Sequence, residues 1–359
     1  MTTYGKNLKI SIYGGSHDEK IGVIVEGMPK GVKINAEELQ RFMSRRAPGQ
    51  SLSTPRKETD TPVFLSGVEN GVTDSSTLEI AIYNKNMHSS DYDSLKNIPR
   101  PSHADFAAIK KYNGNVDLRG GGHFSGRLTA PMCAIGGICL QILRERYGID
   151  ISAHVYSIAD VNDTPFDPTN VSTSDFEALR SSPFPTLDEK KGELMRERIA
   201  QARDELDSVG GVVECAILGL PIGLGEHMFD GVEGRISQIV FSIPAVKGLE
   251  FGLGFGSSRL RGSQNNDPFY FDTDTNTVKT KTNNCGGILG GMTNGMPVVF
   301  RAAMKPTPSI AREQDSVNLA TGENAKLSIK GRHDPCVVVR AVPVFEAAAA
   351  IAVFDMLCD

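Results

Sequence analysis

The sequence predicts an α+β fold built on antiparallel sheets, and three observations carry that expectation. Strand-like segments come in hairpins instead of alternating regularly with helices, which argues against a doubly wound parallel sheet. Two long apolar stretches, Gly126 to Tyr147 and AVPVFEAAAAIAVFDML near the C-terminus, read as buried core helices. Glycines and asparagines dominate residues 251 to 296, which reads as tight turns and loops.

The elements follow in order. Leu8, Ile10 and Ile12 alternate with polar residues, as do Val23 and Val25. They predict two strands around the loop GGSHDEKIG. NAEELQRFMSRR is a helix with Asn35 as its cap and Glu38 three residues on, and it delivers Arg45 and Arg46 into the loop APGQSLSTPRKETD. TPVFLSGVENGVTDSSTLEIAIYN reads as a hairpin turning at Asn70-Gly71. A charged helix is expected around 188 to 207, a buried strand at GGVVECAILGLP and another at PVVFRAAM. No repeat or linker interrupts the chain, so residues 1–359 are read as a single domain.

Composition narrows the function. The 359 residues are 40% hydrophobic and 23% charged, enough for a packed core. A net charge of -5 argues against a general nucleic-acid or anionic-membrane binder, so an anionic ligand needs a local cluster of cations. The N-terminus lacks the basic and apolar regions of a signal peptide, and the apolar C-terminal stretch, interrupted by Glu346 and Asp355, is too short to span a bilayer. A cytoplasmic location is therefore expected. Six cysteines without a CxxC pair read as free thiols.

The chemistry-bearing residues cluster in loops. His17 in GGSHDEK, His103 in RPSHADF and His333 in GRHDPC sit in polar segments bounded by Gly or Pro. A loop histidine can exchange protons near neutral pH. His103 is close in sequence to Arg100 and Asp105, and His333 lies between Arg332 and Asp334. Arg45, Arg46, Arg100, Arg119, Arg127 and Arg332 lie in or beside Gly/Pro loops, where guanidinium groups can bind phosphate and carboxylate with two parallel hydrogen bonds. No metal is expected, because these histidines lack ligand spacing. GGSH is no serine-nucleophile elbow, and GxGxxS in FGLGFGSSRL lacks the strand–turn–helix context of a dinucleotide fingerprint. These residues alone imply an enzyme with a polyanionic small substrate and histidine acid/base chemistry, and Gly-lined loops for a phosphate-bearing cofactor.

Five segments, in order, carry a resemblance. They are GGSHDEKIGVIVEGMPKG, SRRAPGQS, RPSHADFAAIKKYNGNVDLRGGGHFSGRLTA, NNCGGILGGMTNGMPVVFRAAMKPTPSI and GRHDPCVVVRAVPVFEA. Together they resemble the chorismate synthase family from about residue 5 to 350. The resemblance implies a β-α-β sandwich, helices between two antiparallel sheets related by a pseudo-twofold. It implies a cytoplasmic homotetramer, a carbon-oxygen lyase that converts 5-enolpyruvylshikimate 3-phosphate to chorismate by 1,4-elimination of phosphate. Reduced FMN is required without net redox change, with NADPH a possible reductant.

Carried over to this chain, the resemblance makes His17 the proton donor to the departing phosphate. It makes His103 the residue that sets flavin protonation, and Asp334 the residue that helps flavin accept the ring proton. Arg45, Arg46, Arg100, Arg127 and Arg332 would surround the anionic substrate. His123, Phe124, Ser125, Gln264, Asn265, Gly290, Lys305, Pro306, Thr307, Pro308, Ser309 and Arg332 would contact the flavin. The chain departs from the family pattern at Gly15 (for Glu), Asp18 (for Gly), Leu52 (for Arg), His123-Phe124 (for Arg-Ser), Gly126 (for Ala) and Leu128 (for Glu). Weaker or altered flavin or nucleotide binding with an intact acid/base set is expected. Two other readings stand beside the first: a non-catalytic relative that binds flavin or an anionic metabolite, and a lyase acting on another phosphorylated cyclohexene.

Overall fold

The computed structural model describes residues 2–47, 59–74, 76–84, 97–329 and 334–358. The first half of the chain runs β1 (Thr3–Tyr4), β2 (Lys9–Tyr13), β3 (Lys20–Glu26), α1 (Ala36–Arg46), β4 (Val63–Ser66), β5 (Val68–Glu69), β6 (Val72–Thr73), β7 (Leu78–Tyr83), α2 (Asp105–Lys111) and α3 (Thr129–Tyr147). Five of these strands form an antiparallel sheet in the order β1-β2-β3-β7-β4. The expected turn at Asn70-Gly71 closes the small β5–β6 hairpin, with both residues at positive φ.

The second half runs β8 (Asp150–Ile158), β9 (Val161–Asn162), α4 (Thr173–Ser181), α5 (Glu189–Asp204), β10 (Gly211–Leu218), α6 (Val232–Val240), β11 (Val246–Phe251), α7 (Gly262–Asn265), three hairpins, and α8 (Val338–Leu357). The hairpins are β12 (Phe269–Asp272) with β13 (Thr277–Thr280), β14 (Ile288–Leu289) with β15 (Met292–Thr293), and β17 (Gln314–Asn318) with β18 (Glu323–Leu327). The long strand β16 (Val298–Met304) joins the second antiparallel sheet, in the order β11-β16-β10-β8-β9.

The layers are sheet, helices, sheet, as expected. Helix α3 packs on β3 and β7, α8 packs on β8 and β10, and the two helices pack on each other. Their close approach depends on small side chains. A Cβ added at Gly136 of α3 would lie 2.3 Å from the Ala347 Cβ of α8. Gly136→Ala must therefore push the helices apart in a core without room to yield. Strands β8 and β10 face α8 on one side, while α4 and α5 cover β8 on the other. Burial on both faces explains why GVVECAIL is nearly continuous in apolar residues instead of alternating.

Helix α3, with its leading turn, is long and apolar enough to cross a membrane, but 83% of that window is buried inside the fold. The two acids of α8 are fully buried and both are satisfied. Glu346 accepts two hydrogen bonds from Arg45, at 2.5 and 2.9 Å, and one from Ala153 N. Asp355 accepts from the backbone N–H groups of Lys6, Asn7 and Leu8 and pairs with Arg235. These contacts pin the N-terminal segment to the C-terminal helix. Arg45 and Arg46 form the last turn of α1 and do not enter a loop, because the Ala47 N–H still bonds back to Met43 O.

Candidate active site

One cavity of about 620 Å³ opens between the glycine loop before α3, the start of α2, the end of β16 and the N-terminal end of α8. Six cations line it: Arg46, Arg100, Arg127, Arg340, Lys247 and Lys305. The lining also includes the apolar side chains of Phe124, Ile243, Pro244, Val246, Met304 and Val344. That mixture suits a ligand with both anionic groups and apolar surface.

Each arginine is paired with a carboxylate. The stretch RPSHAD turns at Ser102, at a φ of +58°, and brings three side chains together. Arg100 donates through Nε to Asp105 Oδ2 at 2.7 Å and through Nη2 to Oδ1 at 2.8 Å. His103 Nδ1 lies 2.6 Å from Asp105 Oδ1 and 3.1 Å from Arg100 Nη2. The shorter contact and the carboxylate's charge assign the Nδ1 proton to the imidazole, donating to Asp105. Nε2 then remains, next to the backbone of Gly121. Burial raises the Asp105 pKa, but its hydrogen bonds to Arg100 and His103 outweigh that and hold it well below the ordinary range.

A second group forms around Asp60, which is buried with a φ of +47°. Its two oxygens pair with Arg46 and Arg127, which come from α1 and the turn before α3. Arg46 Nε also donates to Thr129 Oγ1 at 3.0 Å, and Arg127 Nε to Asn84 Oδ1 at 3.0 Å. In a third group, Arg340 of α8 pairs with Asp334 and donates through Nε to the Arg46 carbonyl at 3.1 Å. Sequence reasoning missed Asp60, Arg340 and Lys247. Arg340 had a signal, as an isolated charge in the apolar run CVVVRAVPVF. Asp60 had none beyond its place in a polar loop.

The RGGG loop sets the remaining geometry. Gly120, Gly121 and Gly122 all have positive φ. A Cβ at Gly120 would lie 2.3 Å from His17 Cε1 and 2.8 Å from Ser16 Oγ, so only glycine lets the His17 ring lie there. His17 thus sits half-buried just behind the lining at Gly120, near the charge of Asp117, while its neighbour Ser16 lines the cavity. His123, which lines the cavity where the family pattern has Arg, is tied back by Nδ1 to the Gly14 carbonyl at 2.8 Å. In the same loop, the Gly15 N–H donates to Asp18 at 2.7 Å. The Asp18 carboxylate thus lies beside position 15, where the family pattern has Glu.

Of the expected flavin contacts, His123, Phe124, Ser125, Lys305, Thr307, Pro308 and Ser309 line this cavity. Lys305 Nζ donates to the Ser102 carbonyl, and Ser309 Oγ accepts from Arg100 at 3.3 Å. Thr307 Oγ1 is buried with no hydrogen-bond partner among the described residues. An orphaned hydroxyl beside a lysine fits a bound phosphate-bearing group. Pro306 continues this loop without joining the lining. Gln264, Asn265 and Gly290 do not reach the cavity within one chain; Gln264 and Gly290 are exposed. Arg45 is committed to Glu346 and does not line the cavity, and Arg119 pairs with Asp117 on the surface. Arg332, His333 and Leu52 lie outside the described residues.

A sandwich of antiparallel sheets around apolar helices, with a basic cavity edged by a histidine–carboxylate pair, defines an enzyme that works on a polyanionic small molecule. The comparisons narrow this to one family. The family model described as chorismate synthase matches residues 8–358. A chorismate synthase of Lancefieldella parvula is 44% identical over 99% of this chain and 96% of its own length. One of Thermococcus kodakarensis is 46% identical over 98% and 96%. A crystal structure of chorismate synthase superposes with a TM-score of 0.76 at 30% identity, covering 98% of this chain and 92% of that one. The chain belongs to the chorismate synthase family.

Proposed function

We propose that this protein binds 5-enolpyruvylshikimate 3-phosphate and reduced FMN in the cavity and eliminates phosphate and a ring proton in a 1,4 sense to give chorismate. The observation that carries the proposal is the gathering of His103–Asp105–Arg100, Asp334–Arg340 and Arg46–Asp60–Arg127 around one cavity beside the Lys305–Ser309 loop. Reduced flavin, when bound, supplies the electron-rich ring that the family requires for this elimination. Lys305 and Thr307, with Ser125 and Ser309, suit the flavin's polar groups, and Phe124 and the apolar lining suit its ring.

The chain's own residues handle charge and protons. Arg46, Arg100, Arg127 and Arg340 offset the substrate's carboxylates and its departing phosphate, and their carboxylate partners hold them ready before the charge develops. His17 delivers a proton to the leaving phosphate. His103, tethered through Nδ1, keeps Nε2 for proton exchange at the flavin side of the cavity. Asp334, oriented by Arg340, is placed to assist removal of the ring proton, which bound flavin would accept. A placed general acid or base contributes about 10²–10⁴-fold.

We read the chain as a single domain, a reading supported by a main core cluster that includes residues of both sheets. We propose a cytoplasmic homotetramer with NADPH as an indirect source of reducing equivalents. Phe255, Phe269 and Phe271 stand exposed on the segments that flank α7 in the chain, a surface suited to a second copy that would bring Gln264, Asn265 and Gly290 toward a neighbouring cavity. Phosphate release from 5-enolpyruvylshikimate 3-phosphate, with chemically reduced FMN, tests the reaction. Flavin binding without release would support a non-catalytic relative. Release from a different enol phosphate alone would reassign the substrate.

A further inference from the structure

Among the described residues at the cationic lining, Asp60 holds two arginines from separate elements. Arg46 ends α1 and Arg127 sits in the turn before α3. Asp60 Oδ2 pairs with one and Oδ1 with the other. The carboxylate itself is fully buried and does not line the cavity, while both arginines do. Two guanidinium groups so close would repel each other without it. Burial works against its charge, yet the two arginines outweigh that and hold its pKa below the ordinary carboxylate value, so it is ionised. The backbone makes a further concession: Asp60 adopts the left-handed region, which aspartate tolerates better than most residues. Thr59 next to it fixes the segment through a hydrogen bond from Gln40 Nε2 of α1 to its carbonyl, at 3.0 Å.

We propose that Asp60 is a positioning residue for this reaction, a buried carboxylate that fixes the spacing of Arg46 and Arg127 so that both meet the substrate's anionic groups together. It touches neither substrate nor flavin, and the inference rests on the reading of the cavity given above. Removing its charge leaves the pair of arginines to separate, which costs affinity for a multiply charged ligand more than it costs the fold.

The test uses the full-length protein with Asp60→Asn, Asp60→Glu, Arg127→Gln and the double variant Asp60→Asn/Arg127→Gln. Two quantities are read: KM and kcat for the phosphorylated substrate, and the affinity for inorganic phosphate by calorimetry, which needs no turnover. Asp60→Asn is expected to raise KM and weaken phosphate binding at least about tenfold, with a smaller change in kcat. Asp60→Glu keeps the charge but lengthens the side chain. It should fold like the wild type yet still raise KM several-fold, and it serves as the test if the Asn variant does not fold. In the double variant, the loss should be close to that of Arg127→Gln alone, because the spacing no longer matters once one arginine is gone. Losses that multiply, or KM and phosphate affinity unchanged in both single Asp60 variants, would overturn the proposal. If the wild type binds phosphate in an Asp60-dependent way but does not turn over the substrate, the reaction is misassigned and the positioning role stands.

Discussion

His103 and His154 are built from the same parts and differ in what they leave available. Each imidazole contacts a carboxylate that an arginine also grips. At His103, Asp105 takes Nδ1, and Nε2 is left beside Gly121 at the cavity. At His154 both nitrogens are committed, Nδ1 to Asp163 at 3.0 Å and Nε2 to Glu214 at 2.9 Å, with Arg301 on the far oxygen of Glu214. The residue is wholly inaccessible, and the Phe166 ring packs edge-on at 4.7 Å. Histidine, carboxylate and arginine together thus leave a ring nitrogen uncommitted beside the cavity in one place and make a fully committed structural tie in the other. What decides is an uncommitted nitrogen and an adjoining space.

The largest expected effect falls on the residue behind the glycine loop. His17→Ala should lower turnover by about 10²–10⁴-fold while FMN affinity stays within a few-fold, as fluorescence titration would show. Turnover within a few-fold of wild type would remove His17 from the acid/base set. Next comes the pair that defines the comparison. His103→Ala should lower turnover about 10²-fold or more with little change in Tm. His154→Ala should do the reverse. It leaves two buried carboxylates facing a void, a loss of about 3–5 kcal/mol. That corresponds to a Tm lower by roughly 4–7 °C, with turnover per folded molecule nearly unchanged.

Gly120→Ala should fall between these extremes. The left-handed backbone costs a non-glycine residue about 1–2 kcal/mol, and the new methyl must displace the His17 ring. Turnover should fall at least about tenfold with a modest drop in Tm, read from kinetics and thermal melts on one preparation. A pH series sharpens the His154 half of the comparison. Burial lowers the His154 pKa, but hydrogen bonds to Asp163 and Glu214 outweigh it and raise the value above the ordinary one. The folded state thus holds this proton more tightly than the unfolded chain, whose imidazole titrates near about pH 6.5. The stabilisation is complete below that pH and is lost as pH rises through the folded value. The alkaline fall in Tm should be shallower in His154→Gln. The smallest effect belongs to the surface pair Arg119–Asp117, where Arg119→Gln should change Tm by about 1 °C or less.

The sandwich was largely legible in the sequence. Period-two alternation marked β2, the asparagine–glycine turn marked the β5–β6 hairpin, and unbroken apolar runs marked α3 and α8. The cavity was legible where chemistry sits close in sequence: RPSHAD folds into one cluster because residues 100, 103 and 105 are neighbours. It was hidden where partners come from afar. Asp60 meets Arg127 across 67 positions. Arg45 was expected at the substrate, but its partner Glu346 lies 301 positions away, and local sequence cannot reveal that this acid takes it. The cavity's lysine at 247 and the 241–246 lining carry no motif at all.

The most direct test of the central claim is chorismate formation by the wild type and by Asp334→Asn, measured anaerobically with saturating reduced FMN. Asp334 lines the cavity, and Arg340 holds its carboxylate. The wild type should release phosphate and form chorismate one for one, and Asp334→Asn should bind flavin equally but turn over at least about 100-fold more slowly. No chorismate from the wild type, or a variant within a few-fold of it, would contradict the account.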